Sequence, residues 1–88
     1  MARSKVNDEK AEFIFQQVFN DLRFEWIGPE FDFDSDRYKA RIQAGNLKGK
    51  LFYISTNNLE DRDLSAERIR QALQAEVERE LKADFEKV

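Results

Sequence analysis

Between Glu30 and Ala44 the chain repeats with a period of two, a pattern that suits a half-buried strand and not a helix. From Glu30 to Asp34 acids alternate with Phe31 and Phe33; from Arg37 to Ala44 basic or polar residues alternate with Tyr38, Ala40, Ile42 and Ala44. Ser35 and Asp36 separate the runs, which are predicted to form an antiparallel hairpin. With those two residues as its loop, Asp34 faces Arg37, Asp32 faces Lys39 and Glu30 faces Arg41, while Phe33 meets Tyr38 and Phe31 meets Ala40 on the other side. Opposite charges lie outside and apolar groups inside. A longer turn of the same parity keeps that partition.

The flanking segments supply helices to cover the apolar side. Asn7 is expected to cap a helix over Asp8–Leu22, with Ala11, Ile14, Phe15, Val18 and Leu22 recurring at three and four residues and residues 1–6 as a flexible leader. Residues 23–27 suit either a strand or the end of that helix, until Gly28 and Pro29 break the pattern. Gly45 and Asn46 offer a two-residue turn into a third strand over Lys48–Thr56. That turn sends Leu51 and Tyr53 to the core and Lys50, Phe52 and Ile54 outward; a slip of one residue exchanges the two sets. Leu59 to Arg62 suits a single helical turn, and Ser65 is expected to cap a last helix from about Ala66. Its apolar residues Ile69, Leu73, Val77, Leu81 and Phe85 step by four, so the stripe winds around the axis. The final turns, with Leu81 and Phe85, are expected to overhang the sheet and serve self-association as a homodimer. These elements predict one α+β domain over 1–88: helix, three-stranded antiparallel meander, helix, with the helices on one face. The expected core holds Ile14, Val18, Leu22, Phe31, Phe33, Ile42, Ile69, Leu73 and Val77.

As topology alone, helix, three antiparallel strands and helix resembles the layout of double-stranded-RNA-binding domains, with Gly28-Pro29 near the loop between that family's first strands. The family grips phosphates with a lysine-rich cluster at the start of its last helix. Here that stretch runs from Asp61 through Arg62, Asp63, Leu64, Ser65, Ala66 and Glu67 to Arg68, so no function carries over from it.

The residue inventory narrows the chemistry. His and Cys are absent, which removes the commonest general base, the thiol nucleophile, disulfides and the usual zinc and iron–sulfur ligands. Asp32, Asp34 and Asp36 open like a calcium-binding loop, but Arg37 stands where the sharp-turn glycine belongs and Gln43 where the bidentate glutamate belongs. They read better as the solvent side of a strand, and no metal or cofactor is expected. Five cations, Arg37, Lys39, Arg41, Lys48 and Lys50, lie in a stretch without an acid, inside a chain of net charge -3. The first three have acids across the hairpin, which leaves Lys48 and Lys50. The expected function is a non-enzymatic protein-binding module, a regulator, adaptor or inhibitor, using Arg41, Lys48, Lys50, Phe52 and Ile54 on an open sheet face. An accessory protein of a phage or plasmid would suit the size. The alternative is nucleic-acid binding by the same basic and aromatic face. No run of about 18 apolar residues is present, so a soluble, cytoplasmic protein without membrane contact is expected.

Overall fold

The computed structural model describes residues 3–86, with the side chains of residues 84–86 outside the described residues. The chain runs α1 (Lys5–Asp21), β1 (Trp26–Asp32), β2 (Arg37–Ile42), β3 (Leu51–Ser55), α2 (Thr56–Glu60) and α3 (Ala66–Glu86). The strands form one antiparallel sheet in the order β1-β2-β3, and the helices pack against one of its faces. The expected α+β meander is therefore what the chain forms. Among the described residues no helix is long and apolar enough to cross a membrane.

Helix α1 starts one turn earlier than expected. Ser4 is the cap, its hydroxyl accepting from the Asn7 N–H at 3.1 Å, so Lys5 and Val6 are helical and not part of a leader. Asn7 is instead buried, and its Nδ2 donates to Glu60 Oε2 at 2.9 Å. Ala11, Ile14, Phe15, Val18 and Phe19 make the buried stripe of α1. Phe19 sits at the middle of an aromatic cluster, its ring centroid 5.6 Å from Phe15, 5.3 Å from Trp26 and 5.8 Å from Phe52. Ile69, Leu73 and Val77 of α3 close the core. Leu81 also packs against it, half-buried, and does not overhang as a free apolar group; the side chain of Phe85 lies outside the described residues.

The first hairpin keeps its parity and changes its register. Phe31 pairs with Tyr38, Asp32 with Arg37 and Glu30 with Lys39. The loop is four residues long because the Asp32 carboxylate accepts from the Asp34 N–H at 3.0 Å and from Ser35 Oγ at 2.8 Å, and Asp36 turns the chain at φ 55°. That turn takes Phe33 out of the strand and leaves it 65% exposed, against its expected place in the core. Residues 26 and 27 belong to β1, which continues through Gly28 and the cis Gly28-Pro29 bond as a bulge. Only glycine fits the first bulge position: φ is +121°, and a Cβ would sit 2.9 Å from the Lys39 carbonyl oxygen.

The second hairpin takes the slipped register. Ala40 pairs with Phe52 and Tyr38 with Ile54, so Phe52 and Ile54 are buried and Leu51 and Tyr53 take the outer face. Two causes act together. The turn is longer than Gly45-Asn46 alone, with Gly45 and Gly49 both at φ +87° and Leu47 buried as its anchor. The slip also seats Phe52 and Ile54, which carry no polar atom, and keeps Tyr53 half-exposed.

Candidate functional site

The uncovered face of the sheet is built from alternate residues of three strands. Strand β2 contributes Arg37, Lys39 and Arg41, with β3 adding Leu51 and Tyr53 on one side and β1 adding Ile27, Glu30 and Asp32 on the other. The same period-two arithmetic that buries Tyr38, Ala40 and Ile42 makes these three cations neighbours on the central strand. Ile27 is 57% exposed, and a depression of about 90 Å³ lies between it, Lys39, Arg41 and Leu51.

Cross-strand acids do not quench this row. Among the described residues no ion pair within 4 Å joins Arg37, Lys39 or Arg41 to a carboxylate. Asp32 is committed to the turn, where the Ser35 hydroxyl and then backbone N–H groups hold its carboxyl below the usual carboxylate range, with Lys39 adding a smaller pull. Asp34 sits in the loop and no longer faces a strand residue. Arg37 instead lies over the Tyr53 ring, its guanidinium carbon 3.5 Å from the centroid. Its Nε is buried there without a hydrogen-bond partner among the described residues.

The residues expected to form the partner surface therefore separate. Arg41 is exposed on the open face, and Lys48 is exposed in the β2–β3 loop. Lys50 leaves the face to pair with Glu80 of α3 at 3.1 Å. Phe52 and Ile54 are 1% and 3% exposed and line the core, so they cannot meet a partner. Their places are taken by Leu51 and Tyr53, which only the slipped register exposes. Arg37 and Lys39 are masked in the sequence by the acids expected to pair with them across the hairpin; the signal for them is the unbroken cationic alternation of β2.

On the covered side a second polar cluster joins α1 to the hairpin. The Tyr38 hydroxyl donates to Asp8, whose carboxylate also meets Arg3 Nε at 3.5 Å. Burial first, and then the Asp8 hydrogen bond, push the Tyr38 phenol well above its ordinary pKa. This cluster docks α1 on β2. Among the described residues no group of three or more acidic side chains is placed to hold a metal ion, and Asp32, Asp34 and Asp36 form a turn.

Comparison with family models, curated proteins and solved structures finds no match to the chain.

Proposed function

We propose that the protein is a small non-enzymatic binding module that engages an acidic protein partner through the open sheet face. The carrying observation is the row Arg37, Lys39 and Arg41 on the central strand, with no carboxylate within ion-pair distance among the described residues and bordered by Leu51, Tyr53 and Ile27. Charged groups flanking half-exposed apolar ones give both steering and contact area. The absence of histidine and cysteine supports a binding role over catalysis. A nucleic acid is the less favoured ligand, because the net charge is -3 and the Tyr53 face that would stack on a base is already covered by Arg37.

Retention on immobilised polyglutamate and on single- and double-stranded DNA and RNA, measured across rising salt, tests this reading. Polyglutamate is expected to be held at low salt and released by the double variant Lys39→Glu with Arg41→Glu, whose circular dichroism stays that of the parent. Stronger retention on nucleic acid would transfer the face to the alternative ligand, and retention on neither would remove the reading.

A further inference from the structure

The two edges of the sheet differ in what their backbones offer. The Ile42 N–H donates to Lys50 O at 3.0 Å and the Thr56 N–H to Asp36 O at 3.2 Å, which fixes the even-numbered residues of β3 as those bonded to β2. Leu51 and Tyr53 therefore aim their N–H and C=O groups away from the sheet, and no backbone hydrogen bond engages them among the described residues. Bare strand edges are usually blunted, because they pair with any extended chain that reaches them. The β1 edge follows that rule: Ile27, Glu30 and Asp32 pair with β2, and the outward side carries Pro29, which has no N–H, within the bulge. Among the described residues the β3 edge carries neither a proline nor a bulge.

Beside the β3 edge runs a groove of about 150 Å³ between the strand and α3, with apolar walls from Ile54, Leu64, Ile69 and Leu73, and with Asn58, Arg68 and Glu76 as its polar lining. A strand added to β3 would turn alternate side chains into this groove and the others onto the open face, beside Leu51 and Tyr53. The groove set meets mainly apolar walls, and Glu76 among them disfavours acids there, so the apolar residues of the added strand belong on this side. The open-face set lies two strand spacings, about 10 Å, from the β2 backbone, within reach of the long side chains of Lys39 and Arg41.

We propose that the β3 edge accepts an extended segment of a partner protein in which acidic and apolar residues alternate, adding a fourth strand to the sheet. This rests on the acidic-partner reading of the open face and adds to it the conformation and pattern of the ligand. Charge selects this occupant over a second copy of the chain: antiparallel pairing of two β3 edges would continue one face across both molecules with two cationic rows and no acid on the strands between them.

The probe is a short end-blocked peptide alternating glutamate and valine, added to the full chain while backbone amide exchange is followed by NMR. The Leu51 and Tyr53 amides are expected to exchange at least about tenfold more slowly with the peptide. A peptide with lysine for glutamate is expected to give no protection. Ala72 is exposed on α3, so Ala72→Trp fills the groove without entering the core and is expected to weaken binding about tenfold. Leu51→Pro, at the first residue of the strand, removes an edge donor and is expected to do the same. Absence of protection, equal protection by the lysine peptide, or unchanged binding by a folded Ala72→Trp variant would each overturn the proposal. So would protection that appears without peptide and grows with protein concentration, which would assign the edge to a second copy. If polyglutamate is retained while the alternating peptide protects no edge amide, the edge inference alone fails and the open-face reading stands.

Discussion

Strand β1 meets solvent with a proline, a bulge and acids at alternate positions, whereas β3 carries apolar residues on both its buried and its open face and, among the described residues, an outer backbone edge without hydrogen-bond partners. Both lie at the rim of the same sheet, yet their sequences constrain them differently. In β1 the acid and phenylalanine alternation sets which side chains face the helices, and Gly28-Pro29 places a bulge and a residue without an N–H in the strand. In β3 the run Leu51, Phe52, Tyr53, Ile54 is compatible with either face, so the fold chooses by packing. A strand that is apolar on both sides is one whose second side remains available.

The sharpest test of that choice compares neighbours on β3. Phe52 is buried against Phe19, and Phe52→Ala is expected to cost about 3–5 kcal/mol of stability in urea denaturation. Tyr53→Ala, one residue later and half-exposed, is expected to cost no more than about 1 kcal/mol. Reversal of the two values would restore the register in which Leu51 and Tyr53 face the core.

The contrast also marks what was legible in the sequence. The order of elements, the last helix with its Ser65 cap and the partition of faces in the first hairpin follow from local pattern, since Ser65 Oγ does accept from the Arg68 N–H. The register of that hairpin does not, because it depends on Asp32 turning back to bind Ser35 and the Asp34 N–H, a side-chain preference that competes with pairing. The face of β3 does not either, since it depends on Leu47 anchoring a long loop and on which residues fit over Phe19. The sequence predicts an open face that is basic and partly apolar, but two of its expected members, Phe52 and Ile54, are core, and Tyr53, expected inward, lies on it. A single slip of register moved both.

Gly28 tests the guarded edge. Alanine there would carry a Cβ 2.9 Å from the Lys39 carbonyl oxygen at φ +121°, so Gly28→Ala is expected to destabilise by about 1–3 kcal/mol, read from the urea midpoint. A neutral outcome would mean the bulge is not fixed by this close approach.

Tyr38 anchors the middle strand between the two edges. Its phenol pKa is raised in the folded chain, so the folded state keeps the proton where the unfolded state starts to lose it. The resulting stabilisation is complete below about pH 10 and is lost as pH rises through the alkaline range toward the raised value. Tyr38→Phe is expected to cost about 1 kcal/mol at neutral pH, for the lost Asp8 hydrogen bond, and to give a shallower alkaline decline. An unchanged alkaline slope in urea titrations would detach Tyr38 from that decline.

The last variant is read by association, and it bears most directly on the comparison. Pro29→Ala restores an N–H to β1 and removes ring contacts of a half-buried residue, and its readout is association rather than stability. If the proline guards the edge, the variant gains a tendency to pair edge to edge, seen as a molar mass that rises with concentration in light scattering while the parent's stays constant. Should the variant instead behave as the parent does, the bulge and the acids of β1 suffice without the proline. Adding Glu30→Val to Pro29→Ala would then test the remaining guard, because it removes an exposed charge from β1 without touching the core.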